Sequence, residues 1–256
     1  MVSYMTRLAF CIVLISASLG AQQWVMHNPP VVSGASFVYD HVSQRMILFG
    51  GRDGVRSFDQ TWELKDTPFG PVWRELNVGA VRPPARFDFP AVYRSSENEM
   101  IVFGGRSYHE YFNDLWALKL DPGGEYWEEI SVSGPRPAPR KQAAMVYDPV
   151  NDRLLLFGGA LGDNNFSVND LWSFDFATGT WTELSPDPAP CPRHGMRAVY
   201  VPGLSKSRRR ISKHFLLSVR GRNRSDIHIR CEQKESEEGR ENCTGRVEHV
   251  GAGGRR

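Results

Sequence analysis

The hydrophobic and polar positions of this chain predict short β-strands that come in groups of four. In one stretch, strand-forming residues occupy positions 142–147, 153–157, 169–174 and 180–184, with turn-forming residues between them. Positions 154–157 read Leu-Leu-Leu-Phe without alternation, which is typical of a strand covered on both faces. We therefore expect one four-stranded sheet in this stretch.

The same pattern recurs with a period of 54 residues. Phe-Gly-Gly triplets begin at Phe49, Phe103 and Phe157, each 54 residues after the last. A fixed period of this length indicates a repeat architecture in which each repeat is one structural unit. Aromatic residues keep nearly the same register, at Trp62, Trp116 and Trp172, at Trp73, Trp127 and Trp181, and at Tyr39, Tyr93, Tyr147 and Tyr200.

These motifs resemble the kelch repeat, which is one blade of a β-propeller. Residues 113–116 and 169–172 read Asn-Asp-Leu-Trp and match the bacterial-type kelch signature, while residues 59–62 are a weaker copy. The resemblance implies an all-β fold, a kelch-type β-propeller with three complete four-stranded blades and the start of a fourth. The blades are expected at about residues 33–77, 87–131 and 141–185, with the fourth begun at 193–201.

Residues that recur in every copy are expected to be structural. Paired glycines suit points where the backbone takes a positive φ or passes close to another segment. The predicted structural set is Gly50, Gly51, Trp62, Trp73, Gly104, Gly105, Trp116, Trp127, Gly158, Gly159, Trp172 and Trp181.

The first 21 residues are predicted to be a secretory signal peptide. Residues 1–7 are a short cationic start, residues 8–19 are apolar, and small residues stand at 18–21. About 20 apolar residues are needed to span a bilayer, so this run is short for a membrane anchor. We therefore expect a secreted or extracytoplasmic protein with no membrane contact apart from this segment.

The composition changes after residue 204, where the predicted propeller of residues 22–204 ends. Residues 22–204 contain 16 Lys and Arg against 22 Asp and Glu, a net of −6, whereas residues 205–256 contain 14 against 7, a net of +7. Residues 205–256 are expected to be a basic, disordered or non-propeller tail. Three interpretations stay open: a degraded fourth blade with strands near 214–219 and 226–229, a basic arm for an anionic partner, or a frameshift, altered splice or truncation.

Closure of the propeller is an open question for the sequence. Propellers close with about four to eight blades. Three blades leave apolar faces and strand edges bare, which favours association. Trp24 resembles the last strand of a blade that begins elsewhere. Three outcomes stay open: the propeller closes by adding an irregular fourth blade, it closes by self-association with another subunit, or it does not close.

The sequence offers no convincing catalytic or metal site. Kelch propellers include copper oxidases that resemble galactose oxidase, whose site needs two tyrosines, two histidines and a cysteine at the axis. Here His41 is expected at the opposite end of the propeller from His109 and His194. We therefore predict no catalytic residue, no metal and no cofactor. Two alternatives remain, a sugar-acting oxidase or epimerase with most of its site in missing blades, and a non-functional fragment.

Cysteine usage adds little to this picture. Three cysteines follow the predicted signal peptide, an odd number for an oxidising compartment. Cys231 and Cys243 are candidates to close a loop in the tail. Cys191 is then expected to be a lone thiol in a Pro-rich loop.

Binding is the function that the repeats favour. The loops between the second and third strands differ from repeat to repeat while the flanking strands keep their pattern, and recognition usually lies on such loops. The expected partner is a protein or a glycan, and no nucleic acid. The candidate binding residues are Arg52, Asp53, Arg56, Arg106, Tyr108, His109, Tyr111, Asp163 and Asn164.

One arginine recurs after the Pro-rich loop that precedes a repeat. It stands at Arg86, Arg140 and Arg193, and Val32 takes its place in the first copy. A ring of arginines near the axis is one interpretation, and it suits an anionic ligand. We favour a structural role, with Asp114 and Asp170 of the Asn-Asp-Leu-Trp motifs as partners.

Overall fold

The protein is all-β throughout the part that the structure describes. A computed structural model describes residues 30, 32–185 and 190–200 with their side chains, and the backbone of residues 215–219 and 227–231. Every helix or strand assigned in these ranges is a β-strand, as predicted, so no helix there can cross a membrane. The predicted signal peptide, Trp24 and most of the tail lie outside the described residues.

Twelve strands form three antiparallel sheets of four strands each. The first sheet contains β1 (Ser36–Asp40), β2 (Arg45–Phe49), β3 (Thr61–Lys65) and β4 (Val72–Glu75). The second contains β5 (Ala91–Arg94), β6 (Glu99–Arg106), β7 (Tyr111–Lys119) and β8 (Tyr126–Glu129). The third contains β9 (Ala144–Asp148), β10 (Arg153–Phe157), β13 (Leu171–Asp175) and β14 (Thr180–Leu184). Each sheet has the up-and-down strand order of a propeller blade, and we refer to them as blades 1, 2 and 3.

Two short hairpins complete the described strands. Strand β11 (Ala160–Leu161) pairs with β12 (Phe166–Ser167) inside the loop between β10 and β13. Strand β15 (Phe215–Val219) pairs with β16 (Ile227–Cys231), which is the pairing that a degraded fourth blade requires. Residues 193–200, where a fourth blade was expected to begin, form no strand and instead pack against blade 3 through Met196, Ala198 and Tyr200.

The four strands predicted in the third repeat are present, with two shifted starts. The innermost strand begins at Ala144 instead of residue 142, because Gln142 has a positive φ of 54° that a strand does not tolerate. The third strand begins at Leu171 instead of residue 169. The Asn169 side chain donates to the Pro190 carbonyl, and the Asp170 carboxylate accepts from Arg140.

Apolar cores lie between consecutive blades. Trp127 of blade 2 packs on Phe49 of blade 1, with 4.6 Å between the ring centroids, and its Nε1–H donates to Thr61 Oγ1 at 3.1 Å. The Trp181 ring of blade 3 likewise packs on the Phe103 ring of blade 2, with 5.4 Å between the ring centroids. The repeated tryptophan on the outermost strand therefore fills the interface with the preceding blade.

Blade 1 has an apolar face that no other described sheet covers. In blades 2 and 3 the positions equivalent to Tyr39 carry Tyr93 and Tyr147, which pack against the preceding blade. In blade 1, Tyr39 is 42% exposed, and Phe37, two residues before it on the same face of the strand, is 54% exposed. These residues face the side on which a preceding blade would stand.

The repeated arginine is a structural link, as the sequence predicted. Both Nη atoms of Arg86 donate to the Asp114 carboxylate, at 2.6 and 2.7 Å, and Nη1 also donates to the Gly104 carbonyl. Arg140 repeats this arrangement with Asp170 and Gly158, at the same distances. Both guanidinium groups are buried.

The backbone of the same arginines joins neighbouring blades. The Gly51 N–H of blade 1 donates to the Arg86 carbonyl at 2.8 Å, and the Gly105 N–H of blade 2 donates to the Arg140 carbonyl at 2.9 Å. Each arginine thus accepts a hydrogen bond from the preceding blade while its side chain binds the following one. The anion-binding interpretation of this arginine is not needed, because its guanidinium is already satisfied.

Ion pairs at the opposite end of the sheets connect the same blades. Arg45 of blade 1 binds Glu125 of blade 2 at 2.6 Å, and Arg94 of blade 2 binds Asp152 of blade 3 at 2.6 Å. Burial alone lowers the pKa of Arg45, but its carboxylate partners hold that pKa above the usual value. Each blade also has a cross-strand pair here, Asp40–Arg45, Arg94–Glu99 and Asp148–Arg153, whose charges are reversed in blade 2.

We predict that Gly105→Ala lowers the free energy of unfolding by about 3 kcal/mol. Gly105 has a φ of 87°, and an added Cβ would lie 2.6 Å from the Phe89 Cβ. Gly123 is the matched control, because its φ is 79° but nothing lies within 4 Å of an added Cβ. Gly123→Ala should cost only about 1 kcal/mol. Equal losses for the two variants in denaturant unfolding would contradict the proposed close contact.

A second prediction concerns the buried arginine. Arg140→Met should lower the free energy of unfolding by about 3 kcal/mol, because it leaves the Asp170 carboxylate without its main partner. Adding Asp170→Asn should recover part of that loss in a double-mutant cycle. Arg82→Met is the control, since the Arg82–Asp59 pair is partly exposed and should contribute about 1 kcal/mol or less. An Arg140→Met protein as stable as the control would disprove the structural role.

Candidate binding site on the loop face

Two kinds of loop meet at one end of the blades, which we call the loop face. The segment that enters each blade pairs with the residue that follows Gly-Gly, in the backbone bridges Ser33 to Arg52, Phe87 to Arg106 and Lys141 to Ala160. These bridges place both kinds of loop at the same end of the blades. The same backbone geometry therefore presents a different pair of side chains in each blade.

A series of backbone hydrogen bonds runs from blade to blade beneath these loops. The Asp88 N–H donates to the Gly34 carbonyl at 2.8 Å, the Gln142 N–H to the Asp88 carbonyl at 2.7 Å, and the Gly195 N–H to the Gln142 carbonyl at 2.9 Å. All four residues have φ between 54° and 70°. Asp88 and Gln142 adopt this conformation at a steric cost, and such strain is concentrated at functional sites.

Two arginines stack on one buried phenylalanine at the loop face. The guanidinium carbon of Arg52 lies 4.6 Å from the Phe87 ring centroid, and that of Arg106 lies 4.8 Å from it. The Tyr108 ring packs against Phe87 at 5.2 Å and is 37% exposed. Phe87 thus holds cations from blades 1 and 2 beside an accessible aromatic ring.

A polar network links Arg106 to blade 3. Arg106 Nη1 donates to the Tyr111 hydroxyl at 3.3 Å, and that hydroxyl donates to Asp163 Oδ1 at 2.8 Å. Arg106 also forms an ion pair with Asp163 at 3.5 Å. Burial and the bond to Asp163 raise the pKa of Tyr111, so the hydroxyl stays protonated and acts as the donor.

Lys141 approaches the same cluster from blade 3. Lys141 is buried, with 7% of its surface exposed, and its Nζ lies 5.7 Å from the Tyr111 ring centroid. Burial lowers the pKa of Lys141, and the positive charge of Arg106 lowers it further, while Asp88 and Asp163 partly offset the effect. We call Arg52, Phe87, Arg106, Tyr111 and Lys141 the cation–aromatic cluster.

The candidate residues from the sequence divide into two groups. Tyr108 and Asp163 contact the cation–aromatic cluster, to which Arg52, Arg106 and Tyr111 belong. Asp53 and Arg56 instead pair with each other within their own loop, at 3.5 Å. His109 and Asn164 are exposed at loop tips, outside the cluster.

The sequence analysis missed Phe87 and Lys141. The available signal was the position directly after the repeated arginine, which reads Ser33, Phe87, Lys141 and His194 while the arginine itself recurs. A variable position beside a recurring one in an internal repeat indicates that the backbone is shared and the side chain is not. Both missed residues are buried and central to the cluster.

Other chemistry-bearing residues lie apart from the cluster. His41 packs between Tyr39 and Tyr93, with centroid distances of 4.9 and 5.4 Å, at the end opposite the loop face. Among residues with described side chains, no three of His, Cys, Asp and Glu are grouped to hold a metal ion. Cys191 is disulfide-bonded, so the expectation of a lone thiol there is wrong.

Comparison with known proteins identifies the family. Residues 5–205 match the family model described as the KLHDC2/KLHL20/DRC7 Kelch-repeats domain. The protein is 31% identical over 122 residues to dynein regulatory complex subunit 7 of Chlamydomonas reinhardtii. This alignment covers 46% of this chain and 10% of that protein.

Two further relatives match a longer part of the sequence. It is 27% identical over 170 residues to the host cell factor homolog hcf-1 of Caenorhabditis elegans, covering 60% of this chain and 21% of the relative. It is 28% identical over 168 residues to the leucine-zipper-like transcriptional regulator 1 homolog of Drosophila melanogaster, covering 63% and 16%. The chain thus spans about a fifth or less of each of the three relatives. With the family match over most of its length and three blades of the expected form, the chain belongs to the kelch-repeat family.

Proposed function

We propose that this protein is a scaffold that binds a protein partner on its loop face. The kelch-repeat family generally mediates protein–protein interaction. One relative is by name a subunit of a dynein regulatory complex, which agrees with a role in assembly. The proposal for this chain depends on its own loop face.

The observation that carries the proposal is the contrast between shared backbone and dissimilar side chains. Three equivalent bridges present Ser33 with Arg52, Phe87 with Arg106, and Lys141 with Ala160. The blade-to-blade hydrogen bonds fix their backbone positions. A rigid frame with varied side chains on one surface is the usual basis of specific recognition, because little conformational entropy is lost on binding.

Tyr108 is the expected anchor for the partner. It is exposed, rests on buried Phe87, and lies 6.0 Å from the Arg52 guanidinium carbon. A tyrosine held this way offers a large apolar surface at low entropic cost. An exposed tyrosine ring also suits stacking on a sugar, so a glycan is the second candidate ligand.

A peptide-selection experiment tests this proposal. Peptides selected from a random displayed library against the full-length protein should lose about tenfold or more in affinity for Tyr108→Ala. Tyr126→Ala is the matched control, because Tyr126 is 47% exposed at the opposite end of blade 2. Selected peptides that bind both variants equally well would contradict docking on the loop face. If no peptide is selected and the protein binds on a glycan array, a glycan would be favoured as the ligand.

We also propose that the protein is exported. The order of charged, apolar and small residues in the first 21 positions supports this proposal. Expression in a secreting host should yield a protein in the medium whose N-terminus lies near residue 22. A full-length protein retained inside the cell would contradict export.

A further inference from the structure

We propose that a tyrosine-lined cavity at the end opposite the loop face binds a quaternary ammonium group. The cavity lies between the innermost strands and residues 198–200, and its volume is about 430 Å³, within the range of small-molecule sites. One tyrosine from each of the four repeats lines it, namely Tyr39, Tyr93, Tyr147 and Tyr200. We call it the tyrosine cavity. The inference goes beyond the proposed function, because the cavity and the loop face lie at opposite ends of the blades.

The fold holds part of the cavity wall in place. Tyr93 donates its hydroxyl to Asn98 Oδ1 at 2.7 Å, and Tyr147 donates to Asp152 Oδ1 at 2.8 Å. Both rings also pack against the preceding blade. Because these contacts fix two of the four rings, little conformational entropy is lost when a ligand enters.

A wall of tyrosine rings attracts cations. The face of an aromatic ring carries a negative electrostatic potential, and several rings around one cavity suit a quaternary ammonium group. The hydrogen bond from Tyr147 to the Asp152 carboxylate strengthens this attraction, because it polarises the phenol and adds electron density to the ring. The wall therefore favours a cation over an anion.

The ion pairs behind this wall are net negative. Two networks at this end of the blades each join two cations to three carboxylates, so each carries a net charge of −1. The members are Arg45 and Arg74 with Asp40, Glu63 and Glu125, and Arg94 and Lys119 with Glu99, Asp152 and Glu128. Asp40 directly follows Tyr39, and Asp152 accepts from Tyr147, so both networks reach the cavity wall. A cation bound in the cavity is stabilised by this charge.

The same negative charge acts on the tyrosine hydroxyls. Burial raises the pKa of Tyr93, and the charge of Asp40 raises it further. Burial also raises the pKa of Tyr200, where Asp148 adds to the effect and Arg153 partly offsets it. A potential that opposes the formation of a phenolate favours a bound cation.

The lining residues select a quaternary ammonium among cations. Within the part of the chain that the structure describes, no Asp, Glu, Lys or Arg lines the cavity. A metal ion or a primary ammonium group would lack the carboxylate ligands or acceptors that it needs on leaving water. A quaternary ammonium group has no N–H to satisfy, and its methyl groups pack on aromatic rings.

One hydroxyl in the cavity lacks a partner. The Tyr200 hydroxyl is buried and forms no hydrogen bond with any described group. Buried polar groups without partners are uncommon and need an explanation. A ligand with an oxygen atom near its ammonium group, as in choline, would accept a hydrogen bond from this hydroxyl.

The rim of the cavity differs from blade to blade. His41, Ser95 and Pro149 each stand two residues after the cavity tyrosine of their blade, and all three are exposed. The His41 ring packs between Tyr39 and Tyr93, which leaves it at the entrance. These residues are placed to contact the group that the ammonium carries.

The test measures ligand binding to the full-length protein by NMR, in about 0.15 M NaCl to screen unspecific attraction. The ligands are choline, its uncharged isostere in which carbon replaces nitrogen, and N-acetyl-Nε-trimethyl-lysine amide. Choline should bind saturably with a dissociation constant of about 1 mM, with its methyl protons close to the ring protons of Tyr93 and Tyr147. The uncharged isostere should bind about tenfold more weakly or worse.

Tyr39 is the residue to change, because it is 42% exposed and its replacement disturbs the core little. Tyr39→Leu should weaken choline binding about fivefold or more, whereas Tyr39→Phe keeps the ring and should stay within about twofold. Tyr126→Leu is the matched control. Tyr126 is 47% exposed at the same end of blade 2, but it lies on the outermost strand and does not line the cavity.

The outcomes distinguish the sources and the failures. Tighter binding of choline assigns the site to a small solute, and tighter binding of the trimethyl-lysine compound assigns it to a modified side chain of a protein. The proposal is overturned if the uncharged isostere binds as well as choline, if Tyr39→Leu binds choline as tightly as Tyr39→Phe, or if neither cation shifts the cavity tyrosines at about 10 mM. If peptides are selected on the loop face while choline does not bind, the proposed function stands and this inference fails.

Discussion

The structure depends on one repeated interaction, in which an arginine links two consecutive blades. Its backbone carbonyl accepts a hydrogen bond from the preceding blade, and its side chain binds an aspartate of the following blade. The carbonyl of Arg140 accepts from Gly105 of the preceding blade, while its guanidinium binds Asp170 of the following one. Trp172 donates its indole N–H to the same carboxylate at 2.7 Å, and Asn169 holds the next Pro-rich loop. The Asn-Asp-Leu-Trp motif is therefore a set of partners for this arginine and for the loops around it.

The first blade shows what happens where this interaction is absent. Val32 takes the arginine position and Gln60 takes the aspartate position, so both members of the buried pair are replaced together. Replacing both partners avoids the cost of one unpaired buried charge. The Gly51 N–H of the first blade still donates to the Arg86 carbonyl, so the backbone link to blade 2 is kept.

The sequence predicted the parts of the structure that recur and missed much of what does not. Gly105, Trp127 and Arg140 were identifiable because the same backbone turn, interface filler or ion pair recurs in at least two repeats. Phe87 and Lys141 were missed because a single unrepeated residue has no periodic signal. Asp53 and Arg56 were grouped with the binding residues by loop membership alone, whereas local turn hydrogen bonds and their own ion pair hold them apart from the cluster.

The central claim is that a frame of repeated contacts positions unrepeated cations and aromatic rings for recognition. The most direct measurement is a crystal structure of the full-length protein with a library-selected peptide bound. The account predicts a peptide on the loop face, with an apolar residue packed against Tyr108. A peptide bound at the opposite end of the blades, or on the loop face away from Tyr108, would contradict it.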